Sequence, residues 1–322
     1  MKKIQNCDLI KAVRHAKSIL VFTHFQPDGD AVGSALALYH LFRGMGKKTN
    51  IVCQDVPAEK FRFLPGIEAF HTPETLNDVY EMHLAIDASD LLRLGSCSSL
   101  YFSGAVTAQI DHHASNDNFA LYNEVDAGAA AAGMLAMRLM TDLGESITPQ
   151  IAACLYTAIS TDTGNFCFPS VTGETFEMVG RLCDGGLVIA PIARELHLMK
   201  SAGHMRLLGM ALRTLHFFGN ARIAGMYLTK SDFSACGATQ DDGDGIVNHG
   251  LYIPGVQMAY LATEVCDGVK FSLRSIEPAT VLPVARRFGG GGHAQACGCL
   301  IKSDIRQAIT AMETAMAEEL NG

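Results

Sequence analysis

The chain has 322 residues, 48% of them hydrophobic and 18% charged, with 31 Gly and 10 Pro. That length suits two domains with separate cores, and the composition excludes a disordered or fibrous chain. The formal net charge of -8, from 25 Lys and Arg against 33 Asp and Glu, argues against a basic track that grips long nucleic acid. The run Ser18 to Thr23 reads as a buried strand that ends in the polar loop His24 to Asp30. A helix over Ala31 to Met45 and a strand over Lys48 to Cys53 complete a βαβ unit, which predicts a parallel sheet. His83 to Ile86 and Ala105 to Ile110 are two further buried strands, each stopping at an Asp. Helical patterns cover Ala129 to Leu143, Gln150 to Ser160 and Thr172 to Cys183.

The character changes near Asp184-Gly185-Gly186, and a long helical stretch from Pro191 to Phe218 reads as a connector. Strands at Ala221 to Leu228, Val256 to Glu264 and Val269 to Arg274 follow, then a helix at Val281 to Phe288. A glycine run, a strand near Cys297 to Ile301 and a helix at Asp304 to Leu320 close the chain. The fold class is therefore α/β, with two domains. Residues 1–188 form a parallel-sheet domain with helices on both faces, 189–218 a helical connector, and 219–322 a smaller α/β domain.

Met1 to Asp8 is polar, without the apolar core of a secretory signal, and no run approaches the roughly 18 apolar residues of a membrane span. Ten Cys are scattered without a C-x-x-C pair and read as buried thiols of a cytoplasmic protein with no membrane partner.

Four segments offer metal-ligand side chains where an apolar element ends: His24, Asp28 and Asp30; Asp87; Asp111, His112 and His113; and Asp162. Pro27 and Gly29 bend the first of these loops so that its three ligand types converge. A lone Asp after a strand is more often a turn or helix-cap residue. Four such segments in order point instead to one crevice, because open parallel sheets bind ligands outside the carboxyl ends of their strands. So many carboxylates repel one another unless cations sit between them. Asp and His donors without Cys suit Mn²⁺ or Mg²⁺, and less selectively Fe or Zn. A second signal is Gly289-Gly290-Gly291-Gly292-His293, whose glycines leave backbone N–H groups free for an anion, with Arg274-Ser275 upstream for a phosphate contact.

At these residues the chain resembles the DHH phosphoesterase superfamily, in its branch with a DHH-associated C-terminal domain. His24-x-x-Pro27-Asp28-x-Asp30-x-x-Gly33-Ser34 looks like the first motif and Asp87 the second. Asp111-His112-His113 resembles the third and Thr161-Asp162-Thr163-Gly164 the fourth. Arg274-Ser275 and the glycine run ending at His293 look most like the nano-RNase/oligoribonuclease branch, which also removes the 3′-phosphate of 3′-phosphoadenosine 5′-phosphate.

The resemblance implies an active site in the cleft between the domains and two divalent ions, Mn²⁺ first and Mg²⁺ second. One ion would be held by His24, Asp28 and Asp87. The other would be held by Asp30, Asp87, His112 and Asp162. His113 would face the substrate phosphate and Asp111 would orient the imidazoles. Arg274, Ser275, Gly291, Gly292 and His293 would hold the nucleotide.

The implied reaction is hydrolysis of short RNA oligomers to 5′-mononucleotides, or of 3′-phosphoadenosine 5′-phosphate to AMP, by a water bridging two ions. Long nucleic acid is not an expected partner; a homodimer is left open. Two rivals remain: a hydrolase for linear or cyclic dinucleotides, and a nucleotide-binding module without catalysis. The latter is disfavoured because all six ligand-type residues are present.

Overall fold

The computed structural model describes residues 2–76, 78–103 and 106–321, with the backbone alone at positions 293 and 321. The chain divides into two compact units, Met1–Met199 and Lys200–Gly322. The first is built on six parallel strands: β1 (Ser18–Phe22), β2 (Lys48–Val52), β3 (Phe70–His71), β4 (Met82–Ile86), β5 (Val106–Asp111) and β6 (Tyr122–Val125). Their order is β3-β2-β1-β4-β5-β6. The chain winds outward from β1 in one direction, then returns to add β4 on its other side, so the carboxyl ends of β1 and β4 flank the topological switch point.

Every residue of β1 and of β4 is buried, as expected of strands covered on both faces. Ile19, Val21, Leu84, Ile86 and Ile110 face a core shared with the helices Cys7–His15, Gly29–Gly44, Ala132–Leu143, Pro149–Asp162 and Gly173–Asp184. Leu20, Phe22, Val52 and Ala85 face the opposite way, under Leu94, Cys97 and Tyr101 of a short helical segment. The strand expected to open at Ala105 begins at Val106; Ala105 itself lies outside the described residues.

Helices Gly29–Gly44 and Pro149–Asp162 approach closely because glycines line the contact. A Cβ on Gly29 would lie 2.3 Å from Thr161 Oγ1, and one on Gly33 would lie 2.4 Å from the Cys154 carbonyl oxygen. This close approach brings Asp162, the last residue of its helix, beside the His24–Asp30 segment. Arg138 is almost fully buried, and its guanidinium donates to Asp126 (2.7 Å) and Glu174 (3.0 Å).

The long helical stretch expected from Pro191 to Phe218 is interrupted. Ile189–Ala193 leads into a wider turn at Arg194–Leu198, and Met199 is extended. A new helix then starts at Ala202, where the Ser201 side chain accepts from the His204 N–H, and residues 216–218 form a strand.

The second unit carries β7 (His216–Phe218), β8 (Ile223–Leu228), β9 (Met258–Val265), β10 (Gly268–Ser275), β11 (Gly291–His293) and β12 (Ala296–Ile301), in the order β11-β12-β10-β9-β8-β7. β8 and β9 pair in parallel, and the remaining neighbours antiparallel. Phe271, Leu273, Val284, Ala308 and Met312 form a core on one face, while Leu207, Met226, Phe233 and Leu261 form one on the other.

All ten cysteines are free; six are buried, as is usual for such thiols, and Cys7, Cys167, Cys183 and Cys266 are exposed. Among the described residues no helix is long and apolar enough to cross a membrane.

Candidate metal centre

The segment after β1 does not remain a loop as far as Asp30. The Asp28 side chain accepts from the N–H groups of Asp30 (3.0 Å) and Ala31 (3.1 Å), which starts the helix at Gly29. Asp30 is therefore in the first helical turn and 1% exposed, whereas the Asp28 side chain is open to solvent. Asp30 is fixed by three donors: Ala132 N–H at 2.6 Å, Gly133 N–H at 3.0 Å and Ser34 Oγ at 2.8 Å. Two of these lie at the amino end of Ala132–Leu143, where helical N–H groups lack intrahelical partners.

Asp87 follows β4 and is 2% exposed. Its backbone is left-handed, φ 60, a conformation that only Asp, Asn and Gly adopt at low cost. Its Oδ1 is buried without a hydrogen-bond donor. Asp111 is the final residue of β5 rather than the residue beyond it, and it is fully buried.

Both imidazoles expected as ligands are aimed from behind. His24 Nδ1 donates to the Phe25 carbonyl at 2.8 Å and His112 Nδ1 to that of Ala129 at 3.2 Å. A carbonyl can only accept, so Nδ1 carries the hydrogen and each Nε2 is the nitrogen left to face the cluster. His24 Nε2 lies 3.7 Å from Asp87 and 3.8 Å from Asp28. His112 Nε2 lies 3.6 Å from Asp30, 3.5 Å from Asp87 and 3.4 Å from Asp162. These gaps are too long for hydrogen bonds. They suit donors arranged around a common ion with bonds of about 2.1 Å.

Three groups have ligand atoms within 4.8 Å of one another: His24, Asp28 and Asp87; Asp30, His112 and Asp162; and Asp87, His112 and His113. All six residues expected as metal ligands thus stand in one place. His113 differs from the other two imidazoles. Its Nδ1 donates to Asp111 at 2.8 Å, and its ring is partly exposed.

The electrostatics show what the cluster lacks. Burial and the neighbouring Asp87 push Asp30 well above the usual carboxylate range, despite the opposing charge of His112. Burial likewise carries Asp162 to about 6, with His112 opposing and Asp87 adding to the rise. Burial would lower His112, but Asp87 and Asp30 outweigh it and hold the imidazole at about 10. The surrounding protein opposes ionisation of Asp28 too, yet the neighbouring His24 charge and the N–H groups of Ala31 and Asp30 bring it down to about 2. Without a cation the cluster retains protons to offset its own charge, and Asp87 Oδ1 has nothing to accept from. A divalent ion answers both deficits.

Sequence reasoning missed the support behind Asp111. Asn116 Nδ2 donates to Asp111 Oδ2 at 2.6 Å, and the fully buried Gln109 donates to Asn116 Oδ1 at 2.8 Å. The signal was Asn116 in a polar turn five residues after Asp111. Burial alone would raise the Asp111 carboxyl, but the bonds from His113 and Asn116 hold it below its ordinary value.

In the second unit, Arg274 pairs with Ala296, which pairs in turn with His293, so these positions share one row across β10, β12 and β11. The His293 side chain lies outside the described residues. The Ser275 hydroxyl is committed to the Ala279 carbonyl at 3.0 Å, and one Arg274 nitrogen donates to the adjacent Leu273 carbonyl. Two of the four glycines lack the free N–H groups expected from sequence. Gly289 and Gly290 donate to Arg286 and Ala285, and Gly291–His293 pairs with β12. A Cβ on Gly290 would lie 2.2 Å from the Gly298 carbonyl oxygen, so close backbone approach is what requires glycine there.

Comparison with known proteins gives the same partition. The family model for the DHH family, N-terminal domain, matches residues 18–159, and the DHHA1 domain model matches 226–318. The bifunctional oligoribonuclease and PAP phosphatase NrnA of Thermus thermophilus is 31% identical over 97% of this chain and 93% of its own length. Its namesake in Bacillus subtilis is 26% identical over 97% of this chain and 98% of its own. The crystal structure of an exopolyphosphatase-related protein from Bacteroides fragilis superposes with a TM-score of 0.91, at 25% identity, over 97% of this chain and 95% of that one.

Proposed function

The chain belongs to the DHH family, and we propose that it is a metal-dependent phosphoesterase that cleaves short RNA oligomers to 5′-mononucleotides and removes the 3′-phosphate of 3′-phosphoadenosine 5′-phosphate. The observation that carries this reading is the pair of His–carboxylate triads at the switch point, joined through buried Asp87 and its unpartnered Oδ1. The full-length relatives named for those two activities support the substrate choice.

In this reading His24, Asp28 and Asp87 hold one divalent ion, and Asp30, Asp87, His112 and Asp162 hold a second. Mn²⁺ is the proposed metal, on the mixed imidazole and carboxylate donors. When bound, the ions neutralise phosphoryl charge and lower the pKa of an attacking water. The chain's own groups do the rest. Phe25 and Ala129 carbonyls keep both ligand imidazoles in one tautomer. His113 is held by Asp111, whose hydrogen bond raises its pKa although burial opposes, which favours the protonated ring that can donate to a phosphoryl oxygen. Asp111 is kept ionised for that task by Asn116. Arg274, Ser275, Gly291, Gly292 and His293, in the domain proposed to span 219–322, hold the nucleotide.

The test is a labelled RNA series from dinucleotide to 24-mer, together with 3′-phosphoadenosine 5′-phosphate, each with Mn²⁺ and with chelator. Metal-dependent release of mononucleotide from the shortest oligomers is the expected outcome. A preference for the 24-mer, or turnover that survives chelation, overturns the reading.

A further inference from the structure

We propose that Arg93 is a specificity residue that contacts a phosphate of the substrate other than the one being cleaved, most simply the 5′-phosphate of a short oligonucleotide. This rests on the phosphoesterase reading above. Arg93 lies in the segment that follows Asp87, and its backbone is locked to the loop that carries His24. The Phe25 N–H donates to the Arg93 carbonyl at 2.9 Å, and the Arg93 N–H donates to Asp90 Oδ1 at 3.0 Å. The same segment is pressed against Gln54 and Phe25 at Gly95, where φ is 57 and a Cβ would lie 2.2 Å from Gln54 Oε1. The position of Arg93 is therefore set by the two ligand-bearing loops themselves.

Its guanidinium carbon stands 5.0 Å from the centre of the Phe25 ring, the separation of a cation–π contact. Among the described residues it forms no ion pair, although five carboxylates crowd the neighbouring centre. Its backbone is nonetheless bonded to the residue next to His24 and to Asp90, three residues after Asp87. The side chain lies over the Phe25 ring, partly exposed, and among the described residues its fork of N–H donors meets no protein acceptor.

That arrangement matches what recognition of a second phosphate requires. The charge is permanent, the fork accepts phosphate bidentately, and the aromatic face restrains it before binding. Because the guanidinium stays outside ion-pair distance of the metal-binding carboxylates, the phosphate it reaches is one that those carboxylates do not share. Asp90 fixes the backbone and leaves the side chain free for the ligand.

The experiment compares two dinucleotides, pApA and ApA, which differ only in the 5′-phosphate, with the full chain and Mn²⁺. The readout is the ratio of their kcat/KM values. The native chain should prefer pApA, and Arg93→Gln should reduce that preference about ten- to hundred-fold, the worth of a charge-assisted hydrogen bond. The loss should fall mainly on KM. Arg93→Lys should restore part of the preference, because it keeps the charge without the fork. A variant that is merely misfolded or that acts at the cleaved phosphate depresses both substrates and leaves the ratio in place, and that result overturns the proposal. Binding of the same pair with Ca²⁺ replacing Mn²⁺ repeats the contrast without turnover. If the native chain releases no mononucleotide from either dinucleotide yet binds pApA more tightly through Arg93, the reaction is wrong and the contact stands. Equal binding of the two by the native chain sinks the contact itself.

Discussion

Asp87→Asn separates the cost of the metal centre from its use. In the metal-free chain Asp87 adds repulsion to Asp30 and Asp162, both of which burial has already pushed upward. Its own Oδ1 is buried without a donor, and such an orphan costs about 1–3 kcal/mol. Asparagine keeps the shape, tolerates the φ of 60 and brings two N–H donors into a nest of carboxylates. The metal-free variant should therefore gain about 1 kcal/mol, or about 2–4 °C in Tm for a unit of this size.

The native chain with Mn²⁺ at a hundred times its Kd should gain about 2.7 kcal/mol. That corresponds to a rise of about 5–10 °C, which Asp87→Asn should largely lose because two sets of ligands meet at this side chain. Alanine lacks the tolerance of left-handed backbone, so Asp87→Ala should melt below Asp87→Asn in chelator by about 1–2 kcal/mol. The assay is thermal unfolding in chelator and across a Mn²⁺ titration. A variant that melts lower than native in chelator and keeps its Mn²⁺ shift would refute both the repulsion and the bridging role.

Gly33→Ala sets a Cβ 2.4 Å from the Cys154 carbonyl oxygen and should cost about 1–3 kcal/mol by urea unfolding, weakening Mn²⁺ binding as Asp30 and Asp162 move apart. Gly180→Ala, in an exposed helical position with open space around it, should instead stabilise by about 1 kcal/mol. Asn116→Ala leaves Asp111 Oδ2 without its 2.6 Å donor and should lower stability by about 1–3 kcal/mol, and kcat more than KM as His113 loses its anchor. Asp162 and His112 both have folded values above their unfolded ones, so their contribution is lost as pH rises toward about 6 and about 10 respectively. The Mn²⁺-induced rise in Tm should accordingly widen with pH. Asp126 and Glu174 carry the opposite sign: burial opposes ionisation, but Arg138 and its neighbours hold both below their ordinary values. Their contribution is present above about pH 4 and lost on acidification, a slope that Arg138→Met should flatten.

What the sequence made legible was decided by locality. A buried parallel strand is a short apolar run, and its carboxyl end is the next polar residue. Topology then carries those ends to one edge, so His24, Asp87, Asp111 and His112 could be read without knowing a single contact. Asp162 was readable as the polar end of an apolar helix, although the glycine contacts that bring it to the edge are tertiary. The two-residue β3 and the four-residue β6 were not, because pairing with a neighbour makes them strands and no apolar run announces them. The broken helix after Pro191 was misread for a related reason. Its apolar spacing persists on both sides of Met199, and the interruption rests on the Ser201 cap.

The second unit shows the sharper lesson. Glycine runs have two physical uses, freeing N–H groups for an anion and letting backbones approach. Sequence cannot separate them, because both require the same missing Cβ. Here Gly289 and Gly290 spend their donors on the preceding turn, and Gly290 packs against the Gly298 carbonyl oxygen. Asn116 and Arg93 were invisible for the complementary reason. Neither residue type is unusual in a loop, and each matters only through what the fold places beside it: Asp111 for the first, the Phe25 ring for the second. The net charge of -8 is likewise no guide to ligand preference when several of its carboxylates converge on one centre that retains protons until a cation arrives. Metal loading and phosphate binding are thus coupled in sign: each divalent ion removes the repulsion that the bare cluster would present to a nucleotide. Substrate affinity should fall with chelation even for a product such as AMP, and equal AMP binding with and without Mn²⁺ would contradict that coupling.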